Sequence, residues 1–112
     1  MTKLTTIAVD QLQSMQGTKL GISPWVQLSQ LMVNQFADIT NDHQFIHTDP
    51  ERASAETPFG GTIAHGFLTL SQLTQMAEST LPVIKDVRMS INYGFDRIRF
   101  IKIGRASCRE RV

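Results

Sequence analysis

Between His65 and Leu81 the chain carries Phe67, Leu68, Leu70, Leu73, Met76, Ala77 and Leu81 at spacings of three and four, with no charged residue before Glu78. That periodicity predicts a helix of roughly 25 Å, at a rise of about 1.5 Å per residue, apolar enough to be mostly buried. A buried helix needs a second apolar layer to cover it. The remainder of the chain supplies little of one. Val87, Met89, Ile91 and Tyr93 alternate with polar neighbours, which predicts a strand. At Gly94 the parity changes before Ile98 and Phe100, as at a bulge. Trp25 to Leu28 offers one further short strand. One good strand and one weak one are too few, so the reading is an α+β domain whose missing strands lie downstream of Lys102.

The end of the chain supports that reading. Ile103-Gly104-Arg105-Ala106-Ser107-Cys108-Arg109-Glu110-Arg111-Val112 has neither alternation nor turn chemistry. It reads as a translated sequencing adapter, so residues 1–102 are expected to be a partial domain and 103–112 a non-native tail. Composition shifts accordingly. The formal charge of the 112 residues is +1, and the tail removes three basic residues, one acidic residue and the single cysteine. What remains is faintly acidic and thiol-free. It has no footprint for nucleic acid or an anionic membrane surface and no basis for a disulfide. No apolar run reaches the roughly 20 residues of a membrane span, and Met1-Thr2-Lys3-Leu4 opens no signal peptide. A cytoplasmic location is the expectation.

Three shorter helices are legible. Val9, Leu12 and Met15 sit at helical spacing before a stop at Gly17. Ser29 is an N-cap for a helix to about Ile39, with Met32, Val33, Phe36, Ala37 and Ile39 on its apolar face. Asp49-Pro50-Glu51 gives cap, first-turn proline and first-turn acid for a helix to about Ala55.

Between the second and third of these lies the chemistry. Asp42 and His47 stand five residues apart in a stretch without periodicity, and His65 opens the long helix. A carboxylate and an imidazole turned into one cavity can handle protons near neutral pH and aim a water at an electrophile. Asp and His are equally at home in polar loops as turn formers. His43 and His47 have the spacing of paired metal ligands only if the stretch is helical, and Gln44-Phe45-Ile46 continues no helical face, so no metal site is assigned. Gly66 either lets a ligand approach free helix-terminal amides, the logic of an oxyanion hole, or permits close packing. Phe59, Ile63 and Phe67 line an acyl slot or belong to the core. Ser71 points into that pocket or bonds its own backbone.

Taken in order, Asp42 through Pro50, then Phe59-Gly60-Gly61-Thr62-Ile63-Ala64-His65-Gly66-Phe67-Leu68 and Ser71, resemble the MaoC-like dehydratases. These are (R)-specific enoyl-CoA hydratases of the hot-dog fold, an antiparallel sheet wrapped around a long central helix. Asp42-His43-Gln44-Phe45-Ile46-His47, Ile91-Asn92-Tyr93-Gly94 and Arg97-Ile98-Arg99-Phe100 are similar to the nodulation protein N-like branch. Gln44-Phe45 stands where the family has Asn-Pro, and Asn41 where Gly is common. The resemblance implies Asp42 and His47 as the catalytic dyad and Gly66 as the backbone donor near the thioester oxygen. It implies Ser71 as a polar pocket residue, and Phe59, Ile63, His65 and Phe67 are placed in the substrate pocket beside it. The implied reaction is reversible hydration of a trans-2-enoyl thioester, with CoA or an acyl-carrier arm as part of the substrate and no metal or redox cofactor. A homodimer is implied for the complete protein and no activity for the 112-residue chain alone. Two other readings stay open: a hot-dog thioesterase, and a non-catalytic acyl-thioester binding module.

Overall fold

A computed structural model describes residues 4–110. In chain order it forms β1 (Thr6–Ile7), α1 (Val9–Ser14), β2 (Val26–Gln27), α2 (Gln30–Thr40), α3 (Phe45–Thr48), α4 (Pro50–Glu56), α5 (Gly66–Ser71), α6 (Leu73–Glu78), β3 (Val83–Ile84) and β4 (Arg109–Glu110). The α+β content agrees with the sequence. Among the described residues no helix is long and apolar enough to cross a membrane.

The caps act where the sequence places them. Ser29 Oγ accepts from the Met32 amide at 3.2 Å, and the Asp49 carboxylate accepts from the Arg52 amide at 3.1 Å. Each satisfies a first-turn donor that the helix cannot pair internally. Val33 packs with Leu28, Ala64 and Leu68 at the centre of the core, and Ala37 is buried one turn on along the same face of α2. Ile39, on the last turn of α2, is the exception on that face, 83% exposed.

The long apolar row differs from its reading in two ways. It is two helices, α5 and α6, separated at Gln72, where the amide bonds to the Thr69 carbonyl three residues back and tightens the turn. It is also only partly covered: Leu68 and Met76 are buried, whereas Phe67 is 69% exposed. The reason lies in residues 87–103. They form no ladder among the described residues, so the strand predicted from Val87 does not appear, and Met89, Ile91 and Tyr93 face outward. The short strand predicted at Trp25 to Leu28 is present as β2. A strand exists only when its amides and carbonyls find a neighbour. The expected antiparallel sheet around one long helix is therefore represented by two short pairs. β1 runs parallel to β3 with Thr6 opposite Val83, and β2 runs antiparallel to β4 with Val26 opposite Glu110.

Residues 104–108 lie between the 62–64 segment and β2. The Gly104 carbonyl accepts from the Ala64 amide at 2.8 Å, the Ala106 amide donates to the Thr62 carbonyl at 3.0 Å, and the Cys108 carbonyl accepts from the Leu28 amide at 3.0 Å. Main-chain pairing of this kind requires an unfilled row of backbone groups, not a particular side-chain pattern.

Candidate active site

The site is assembled where α2 ends and α5 begins. Asn41 closes α2 in the left-handed conformation, φ 59° and ψ 28°, which Asn tolerates better than most residues with a side chain. The chain then reverses, and Asp42 follows the turn with its carboxylate 52% exposed. One oxygen of that carboxylate accepts weakly from the Gln44 amide at 3.4 Å, so Asp42 forms its own turn as well.

His47 sits on α3, a single helical turn inside the stretch that shows no periodicity. The turn is closed by the His47 amide on the Gln44 carbonyl at 2.9 Å and the Asp49 amide on the Phe45 carbonyl at 3.0 Å. Phe45 takes the first helical position, where proline is at ease. The Arg52 guanidinium lies 4.0 Å over its ring. Gln44-Phe45 thus supports the turn without the family's proline.

Three bonds lock His47 in place. Its Nδ1–H donates to the Ile63 carbonyl at 2.7 Å, which leaves the lone pair on Nε2. The Ile63 amide donates to the Ile46 carbonyl at 2.9 Å, joining α3 to the segment before α5. The Gln30 side-chain amide donates to the His47 carbonyl at 2.7 Å, while its oxygen accepts from the buried Thr62 hydroxyl. Gln30 carries no motif signal. Only its position at the start of α2, facing α3, reveals it.

His65 closes the group. Its ring, 3% exposed, stacks on His47 with centroids 3.8 Å apart and an interplanar angle of 20°. Its Nε2 lies 3.1 Å from the Asp42 main-chain carbonyl and 3.9 Å from the nearer carboxylate oxygen. One ligand-type atom from each of Asp42, His47 and His65 lies within 4.8 Å of the others. These three are the side chains among the described residues that are grouped so as to hold a metal. Ligands on one tetrahedral zinc ion are only about 3.4 Å apart, so a spread of this size needs contraction to bind one. His43, the other half of the pair weighed in the sequence, instead meets Asp38 at 2.8 Å on the surface. It lies outside the cluster because it precedes α3 and shares no helical face with His47.

A cleft of about 500 Å³ opens beside His47. Ile63, Ala64, Gly66 and Thr69 form its near wall, and residues 102–105 with Phe100 its far wall. Of the residues named for the pocket, Ile63 lines the cleft, whereas Phe59, His65, Phe67 and Ser71 do not. Phe67 points outward and meets the Phe100 ring edge-on at 5.7 Å. The Ser71 hydroxyl turns back onto the Leu68 carbonyl at 2.6 Å, the local bond a helical serine can always make. His65 stacks on His47 and is not in the wall. Thr69 was missed, although it is three residues from Gly66 and so on the same helical face. Gly66 contributes a first-turn amide without an intrahelical acceptor. A β-carbon there would meet the Phe100 ring at 2.9 Å, so the ring approaches this closely only because the residue is glycine.

Comparison with known proteins matches the same region. The family described as MaoC like domain covers residues 11–106. Nodulation protein N of Rhizobium meliloti is 53% identical over 103 residues, 92% of this chain and 64% of that protein. The 3-hydroxyacyl-thioester dehydratase Z of Mycobacterium tuberculosis is 50% identical over 93 residues, 83% of this chain and 60% of the other. The chain therefore spans about three fifths of the length of the curated relatives it matches. A crystal structure of a protein from Archaeoglobus fulgidus superposes with a TM-score of 0.54, covering 91% of this chain and 69% of that one. At 22% identity that likeness concerns the fold alone.

Proposed function

The chain belongs to the MaoC-like domain family, and from that premise we propose that it carries the catalytic dyad of an enoyl-thioester hydratase. The reaction is reversible addition of water to a trans-2-enoyl-CoA, giving the (R)-3-hydroxyacyl-CoA. Asp42 and His47 are its acid–base pair, and the observation that carries the reading is their convergence. The carboxylate and a ring nitrogen lie within 4.8 Å, a separation that one water can bridge with two ordinary hydrogen bonds of about 2.8 Å. Because Nδ1 of His47 is committed to the Ile63 carbonyl, Nε2 is the nitrogen able to take a proton.

In this mechanism the water adds its oxygen to C3 of the enoyl group. Its proton passes to the dyad and is delivered to C2. The enolate oxygen that forms between these steps is met by the Gly66 amide, a donor fixed before the charge develops. Ile63 and Ala64, beside His47 in the cleft wall, supply apolar contact for the acyl chain. No step runs through a metal or redox cofactor, and the CoA thioester is substrate. A 3-hydroxyacyl-thioester dehydratase among the relatives supports this chemistry. We extend the proposal to residues 1–102 as a partial hot-dog domain, to 103–112 as a non-native tail, and to a homodimer in the longer protein. The 112 residues alone are inactive on this reading.

The test fuses the chain to the remaining region of a nodulation protein N relative and follows loss of enoyl absorbance with short enoyl-CoA substrates. Asp42→Ala and His47→Ala should each lower the rate by about 10² to 10⁴. Undiminished hydration by both variants refutes the assignment. Release of free thiol in step with substrate loss makes the protein a thioesterase instead.

A further inference from the structure

His65 has no part in the mechanism above, yet it is among the most buried polar side chains described, at 3% exposure. It lies outside the cleft wall, so it does not meet the substrate there. Its ring is held between α2 and α3, tilted against Phe36 at 4.9 Å on one side and stacked on His47 at 3.8 Å on the other. Its Nε2 lies 3.1 Å from the Asp42 carbonyl oxygen, and its Nδ1 is buried with no hydrogen-bond partner. A carbonyl only accepts, so Nε2 must carry the proton and Nδ1 the lone pair. This is the opposite tautomer from His47, whose proton is on Nδ1.

We propose that His65 is the positioning residue of the dyad: its Nε2–H fixes the main chain of Asp42, and its ring face fixes the plane of His47. The inference rests on the dyad reading for its functional consequence, but not for its geometry. Asp42 follows a left-handed residue at a helix end and is half exposed. Its weak turn bond at 3.4 Å leaves its backbone in need of an anchor. His65 provides one from an element 23 residues away. The same ring prevents His47 from rotating about its bond to Ile63, so a single side chain sets the mutual placement of carboxylate and imidazole.

Two measurements test this. Long-range proton–nitrogen correlation on the 112-residue chain should show His65 protonated on Nε2 and His47 on Nδ1, with exposed His43 as internal reference. A proton on Nδ1 of His65 overturns the proposal. In the fused, active protein, His65→Phe keeps the ring and loses the donor. It should lower kcat by about tenfold to a hundredfold with KM within about threefold, the penalty of a misplaced reacting group. His65→Gln, whose amide can reach the Asp42 carbonyl, should regain at least about half of that loss on a logarithmic scale. Full activity of His65→Phe, or equal loss in both variants, overturns the proposal. Failure of the dyad reading is distinguishable, because there Asp42→Ala and His47→Ala would retain activity whatever His65 does.

Discussion

Replacing Gln30 by alanine is the most direct probe of how the site is held. Its side chain donates to the His47 carbonyl at 2.7 Å and accepts from Thr62, joining α2, α3 and the segment before α5. Thr62 is 6% exposed and His47 7%, so the variant leaves a buried hydroxyl and a carbonyl of a buried residue without partners. Each such orphan costs about 1–3 kcal/mol. Gln30 is itself only half-buried, so water reaches part of the gap, and the lower half of the range applies. A third bond, to Asn34 at 2.9 Å on the surface, adds at most about 0.5 kcal/mol, and the better helix propensity of alanine returns a few tenths. The expected loss is about 2–4 kcal/mol.

The assay is urea unfolding followed by the fluorescence of Trp25, the sole tryptophan. A double-mutant cycle with Thr62→Val sharpens it. In the double variant neither partner of the Gln30–Thr62 bond survives, so the two costs should fall short of additive by about 1–2 kcal/mol. Strict additivity, or a loss under about 0.5 kcal/mol for Gln30→Ala, refutes the argument that this residue braces His47.

Two further outcomes follow from the same region. Asn41→Ala places a less tolerant residue at φ 59° and should cost about 1 kcal/mol, whereas Asn41→Gly should cost nothing or stabilise slightly. Equal thermal midpoints for the two variants would contradict this. Phe45→Pro restores the family's proline at the first position of α3. It should change stability by less than about 1 kcal/mol, gained unfolded-state rigidity offsetting the lost Arg52 contact. A denaturation midpoint shifted by more than twice that energy would show that the Phe45 amide is needed.

The local signals proved legible because each acts over three or four residues. Ser29 and Asp49 cap their helices through bonds to amides three positions on, and Asn41 ends α2 with its own backbone preference. Asp42, His47 and His65 read as one ionisable group, and in the structure His65 stacks on His47 and bonds the Asp42 carbonyl. Burial was another matter. The row from Phe67 to Leu81 reads as core by period alone, but period states which side chains share a face and not whether anything lies against it. With residues 87–103 lacking a ladder partner, Phe67 stays in solvent.

The role of each site residue likewise emerged only from contacts between distant segments. Gln30, a plain helix former in the sequence, braces His47 from 17 residues away. His65, which reads as a pocket residue, stacks on His47 and bonds the Asp42 carbonyl across 23 residues. Ser71 spends its hydroxyl on its own helix, and Thr69 takes the place at the cleft. Side-chain identity and spacing dictate caps, turns and helical faces because those energies are local. Which nitrogen carries a proton, and which face meets another, depends on atoms brought close by chain closure, and no sequence pattern encodes that proximity.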